Sequence, residues 1–92
     1  MLDDVKNSLR ISGTELDLEV VDLIESAKAD LILSGVSESK VEDTDPLIKR
    51  AVILYCKVNF GYEEPKVAER FLASYISLKN HLCISVEYSR GE

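Results

Sequence analysis

DPLIKRAVILYCKVNFG, residues 45–61, is the stretch whose reading decides the fold. Asp45 followed by Pro46 is an N-cap and a first-turn proline, and Gly61 supplies a stop, so a helix is predicted from Pro46 to Phe60. Leu47, Ile48, Ala51, Val52, Ile53, Leu54, Tyr55, Cys56, Val58 and Phe60 point almost all the way round it. Its charges, Lys49, Arg50 and Lys57, are all basic and share one sector with Ile53 and Phe60. A helix apolar on most sides must be covered on most sides. Two covers stay open: the other helices of the same chain, or a neighbouring subunit packed on a second face.

Towards the N-terminus, Ser37 to Asp45 is polar and acidic without periodicity and reads as a surface loop. Before it, a long helix is expected from about Glu15 to Ser34, ended by Gly35, with Thr14 and Asp17 as a loose capping box. Leu16, Val20, Leu23, Ile24, Ala27 and Leu31 cluster on one face, and Glu19, Asp22, Ser26 and Asp30 on the other, the pattern of a one-sided amphipathic helix. Leu18 and Leu33 fall outside that stripe, either as single exposed leucines or as a contact with another chain. Leu2, Val5 and Leu9 define a short first helix, with Asp3 and Asp4 favourable to its N-terminal dipole, and Ile11 leads into a turn at Ser12-Gly13-Thr14.

Towards the C-terminus, Gly61-Tyr62-Glu63-Glu64-Pro65 makes a break, and a fourth helix begins near Pro65 or Lys66. Val67, Phe71, Tyr75, Leu78 and Leu82 form its stripe, widened by Leu72, Ile76 and Cys83; Glu69, Arg70, Ser77 and Asn80 define its wet face. From Ile84 to Glu92 the pattern changes to alternation, with Ile84, Val86 and Tyr88 on one side of an extended tail. That tail reads as a frayed terminus, or else as an arm that docks on a partner. The predicted fold class is all-α: a compact bundle of about four helices in residues 1–83, one domain, with a short extended C-terminal tail in 84–92.

Ninety-two residues allow one core, and a balance of 46% hydrophobic to 30% charged residues suits a soluble globular domain. A core this small gives a margin of roughly 3 to 5 kcal/mol, so burial against further copies would help. The formal charge of −6 opposes nonspecific attraction to phosphate. It is unevenly spread, since residues 1–45 hold 4 Lys/Arg against 12 Asp/Glu and residues 46–92 hold 7 against 5. This is either the solvated face of a bundle or one side of a head-to-tail subunit contact. No apolar run approaches the ~18 residues of a membrane span, and Cys56 and Cys83 have neither a C-x-x-C spacing nor an oxidising context, so free buried thiols in an intracellular protein are expected.

Catalytic patterns are missing. His81 is alone, on the polar side of the fourth helix, without a second ligand or a triad spacing. Gly13, Gly35, Gly61 and Gly91 are singletons that assemble no phosphate-cradling loop. The acidic clusters Glu42-Asp43-Asp45 and Glu63-Glu64 lack the spaced ligands of a calcium loop and sit where helix N-termini already favour acid. No enzyme activity, metal or cofactor is expected.

Four blocks then stand in order: VKNSLRI (5–11), DLIESAKADLILSGV (22–36), DPLIKRAVILYCKVNFGY (45–62) and FLASYISLKNHL (71–82). In their order and spacing they resemble the small helical head-tail connector family of long-tailed bacteriophages and prophages, often labelled DNA packaging proteins, over about residues 2–83. The resemblance implies a homo-oligomeric ring beneath the portal protein at the capsid vertex, extending the DNA channel and meeting a downstream head-closure or tail protein. DNA would pass through without specific binding, and the protein would be found in the virion, and in host cytoplasm during assembly. No reaction and no active residues are implied. Candidate subunit-interface residues are Leu18, Leu33, Lys49, Arg50, Ile53, Lys57 and Phe60.

Three competing readings remain at this point. One is a small helical DNA-binding regulator using Lys49, Arg50, Lys57, Lys66, Arg70 and Lys79. Another is a non-virion helical adaptor, and the third a small enzyme with an acidic metal site at Glu42, Asp43 and Asp45.

Overall fold

The computed structural model describes residues 1–61 and 64–90. Tyr62 and Glu63 of the expected break, and Gly91 and Glu92 of the tail, lie outside the described residues. Four α-helices are described, α1 (Leu2–Leu9), α2 (Asp17–Ser34), α3 (Pro46–Asn59) and α4 (Pro65–Ile84), with a short 3-10 turn at Glu38–Lys40 between α2 and α3. The fold is an all-α bundle, as the apolar periodicity predicts.

α3 starts where Asp45 and Pro46 say it should. The Asp45 carboxylate accepts hydrogen bonds from the amides of Leu47 at 2.9 Å and Ile48 at 3.2 Å, satisfying two donors that the first helical turn leaves unpaired. Ile48, Ala51, Val52, Leu54 and Cys56 are buried. α3 packs against α1, α2 and α4, so its apolar girth is covered largely by its own chain. Val5 of α1, Val20, Ile24, Ala27 and Leu31 of α2, and Tyr75 and Leu82 of α4 complete the core, with Val36 from the loop after α2. The rings of Tyr55 and Tyr75 meet edge to face, centroids 5.4 Å apart, where α3 crosses α4.

The start of α2 departs from the sequence expectation. The helix begins at Asp17 rather than Glu15, with Leu16 at the N-cap and no side-chain cap. Thr14 contributes its carbonyl, which accepts from the Asp17 amide at 3.2 Å. The Asp17 carboxylate turns instead to Lys6 of α1, at 2.7 Å from its ammonium. An ion pair between elements thus stands where a local capping box was expected. α1 itself ends on Arg10, held left-handed at φ 60, while the Ile11 amide closes back onto the carbonyl of Lys6 at 2.9 Å.

The tail is a second correction. Residues 85–90 are not frayed: they turn back after α4 and pair with the segment that follows α2. The Ser37 amide donates to the Tyr88 carbonyl at 2.8 Å, the Arg90 amide donates to the Gly35 carbonyl at 3.1 Å, and Val36 and Ser89 form an antiparallel bridge. Gly35, at φ 127, makes the sharp exit from α2 that brings Val36 inward to a fully buried position. The turn also keeps its own bonds, Ser89 amide to Ser85 carbonyl at 2.9 Å and Glu87 amide to the Ser85 hydroxyl at 3.2 Å.

Candidate assembly interface

α2 carries apolar side chains on two faces. At 100° per residue, Val20, Ile24, Ala27 and Leu31 share the buried sector, and Leu18, Asp22, Glu25, Ser26, Ala29 and Leu33 share the opposite one. Leu18 is 87% exposed and Leu33 82%. The one-sided amphipathicity expected of this helix therefore describes its inner face alone. Two acids, Asp22 and Glu25, accompany the outer leucines; the Lys28 ammonium lies 2.8 Å from Asp43 and 3.7 Å from Glu25.

Sequence periodicity placed Lys49, Arg50, Ile53, Lys57 and Phe60 in one sector of α3, and the structure engages most of them within the chain. Lys49 lies 3.6 Å from the Asp4 carboxylate of α1. The Lys57 ammonium sits 4.8 Å above the Phe71 ring of α4. Ile53 and Phe60 pack half-buried against the core. Arg50 is exposed. The candidate set thus divides into Leu18, Leu33 and Arg50, which face solvent, and four residues whose contacts are already inside the bundle.

Chemistry-bearing groups elsewhere are engaged in the same way. Asp30 of α2 accepts from the Tyr75 hydroxyl and from Lys79 at 3.0 Å, tying α2 to α4. Burial alone would raise the Asp30 carboxyl, but the Tyr75 and Lys79 hydrogen bonds and the Lys79 charge outweigh it and hold the group below its ordinary value. Burial, together with the Asp30 carboxylate, pushes the Tyr75 phenol far upward. The Cys56 thiol is pushed up to about 12 by burial, the opposite of an activated nucleophile. Asp43 is bound to Lys28 and Asp45 caps α3, so two members of the acidic cluster are structural. Among the described residues no group of three or more His, Cys, Asp or Glu side chains is placed to hold a metal ion. None of the described helices is long and apolar enough to cross a membrane.

Two further surface features stand out, the first on residues whose alternation the sequence showed and the second not singled out from it. Ile84 is 81% exposed and Val86 96%, at the end of the molecule where the tail meets Gly35. Their alternation was visible, but a single strand pattern cannot say which side meets solvent. On α4, Ala73, Ser74, Ser77, Leu78 and His81 line a shallow groove open to solvent. Small side chains between larger ones are its one sequence signal.

Asp30, Asp43, Asp45, Lys28 and Lys79 are thus tied into internal contacts, while aliphatic side chains turn outward on α2 and where α4 runs into the tail. A family model described as Phage connector protein matches residues 1–89, and the chain belongs to that family. The match includes most of the docked tail, beyond the 2–83 stretch that carried the resemblance. No curated protein and no solved structure matches the chain. Membership implies a connector role in a phage particle and contact with other virion proteins.

Proposed function

We propose that the chain is a structural, non-catalytic subunit of a head-tail connector ring, seated below the portal, extending the DNA channel and joining the capsid to the next head-completion or tail protein. The observation that carries this reading, beside family membership, is the exposure of Leu18, Leu33, Ile84 and Val86, each above 80%. Full burial of one such side chain contributes about 1.5–3 kcal/mol, so four of them hold roughly 6–12 kcal/mol that the monomer leaves unused. Association costs an estimated 4–15 kcal/mol in lost freedom. One contact is therefore marginal, and a closed ring on a template, where each copy is held on two sides, is favoured.

A net charge of −6 suits a channel through which DNA slides without adhering. The DNA-regulator reading loses three of its six cations to internal partners, Lys49 to Asp4, Lys57 to the Phe71 ring and Lys79 to Asp30. The deciding experiment is mass measurement by light scattering, with electron microscopy, of the protein alone and mixed with its cognate portal. Ring-shaped assemblies on the portal are expected. A strict monomer that ignores the portal overturns the proposal, and tight binding to duplex DNA at physiological salt overturns the low-adhesion channel.

A further inference from the structure

We infer that the outer face of α2 in one copy seats in the α4 groove of the next. This rests on the ring reading above and names the two surfaces that meet.

The two faces fit in length and charge. Leu18 to Leu33 on α2 and Lys66 to His81 on α4 each span about 22 Å at 1.5 Å per residue. The α2 face is a ridge, with leucines standing out at both ends. The α4 face lies open to solvent, with the short side chains of Ala73, Ser74 and Ser77 between Lys66 and His81. Asp22 and Glu25 lie on the ridge, both exposed, Glu25 at 3.7 Å from the Lys28 ammonium. Lys66 and Arg70 lie exposed at the N-terminal end of the groove face, with Glu69 at its edge. Neither Lys66 nor Arg70 forms an ion pair among the described residues, in contrast to Lys6, Lys28, Lys49 and Lys79.

Charge also decides between pairing modes. With the helices parallel, ridge against ridge would bring Asp22 and Glu25 of two copies together, and groove against groove would bring the Lys66 and Arg70 pairs together; both are like-charge contacts. Ridge against groove is the complementary choice. The contact is then heterologous, each copy offering one surface forward and a different one back, and such a contact propagates until it closes.

The test uses two charge-reversed chains, Asp22→Arg with Glu25→Arg on the ridge, and Lys66→Glu with Arg70→Glu on the groove. All four positions are exposed, and circular dichroism checks the fold. Copies bound to the cognate portal are counted by native mass measurement. Each variant alone is expected to load at least about tenfold less than the unaltered chain. Mixed, the two restore loading in a 1:1 ratio, because reversed ridge meets reversed groove while the unaltered faces still pair. Normal loading of either variant alone, or failure of the mixture to recover, overturns this pairing while the ring reading stands. If the unaltered chain does not assemble on the portal, the ring reading itself fails first.

Discussion

The hydroxyl of Tyr88 donates to the carboxylate of Asp45, 2.9 Å from one oxygen and 3.2 Å from the other. The same carboxylate caps α3 through the amides of Leu47 and Ile48. One side chain therefore starts the central helix and anchors the C-terminal tail. Asp45→Ala is expected to cost about 1–2 kcal/mol through the lost cap, read from urea unfolding. Tyr88→Phe leaves the cap in place and acts on the tail, so amide exchange at Ser37 and Arg90 speeds up several-fold while that at Ile48 does not. In an Asp45→Ala background Tyr88→Phe has no further effect. Unchanged exchange at Ser37 in Tyr88→Phe would show that this bond does not hold the tail.

Acid lowers stability through three carboxylates. Asp43 is held below the ordinary value of 3.8 first by its hydrogen bond to Lys28, which outweighs burial. For Asp30 and Asp45 burial acts upward, and their hydrogen bonds, with Lys79 beside Asp30 and Lys40 beside Asp45, more than offset it. A folded-state value below the unfolded one gives stability that is present above the unfolded value and is lost as pH falls through the folded one. Urea midpoints are expected to be level from pH 7 to about 5 and to fall progressively below about 4. Asp43→Asn flattens that fall. Lys28 carries the other half of the pair, raised above 10.5 first by its hydrogen bond to Asp43, so its share is present below 10.5 and lost as pH rises beyond.

Cys56 is a buried thiol pushed up to about 12, and the thiolate is the reacting species. In a Cys83→Ser chain, modification of the remaining thiol by a disulfide reagent at pH 8 is expected to proceed at the rate of global unfolding and to level off as reagent is increased. A rate that keeps rising with reagent would mean that Cys56 is reached in the folded state.

Gly35 is required by backbone conformation and not by space. A Cβ there would meet Cys83 at 3.7 Å, an ordinary contact, but φ is 127. Gly35→Ala is expected to cost about 1–3 kcal/mol, and to speed exchange of the Arg90 amide, which bonds to its carbonyl. Gly13→Ala, also at positive φ and with nothing within 4 Å, supplies the comparison: similar strain, with tail exchange unchanged.

Where a helix boundary depended on adjacent residues, the sequence was readable. Asp45 and Pro46 specify the start of α3 because cap, proline and first turn are neighbours in the chain. The start of α2 was misplaced because its acid found a better partner outside the helix: Asp17 pairs with Lys6, eleven positions back across a turn, instead of closing a box with Thr14. Of the candidate interface, Leu18 and Leu33 stood out because a leucine off the stripe is visible on a helical wheel. Lys49 and Lys57 looked equally available, since nothing in α3 shows that Asp4 and the Phe71 ring come to meet them.

Residue type and spacing alone therefore determined an all-α chain with an apolar central helix and an outward pair of leucines, for those properties follow from periods of 3.6 residues and from local capping. Tertiary structure decided what covers α3 and where the tail goes. Segments 35–37 and 88–90 are some fifty positions apart, and their hydrogen bonds exist because α2 and α4 end side by side, with Gly35 against Cys83. Such a meeting is set by how four helices share one core, and no local pattern encodes it.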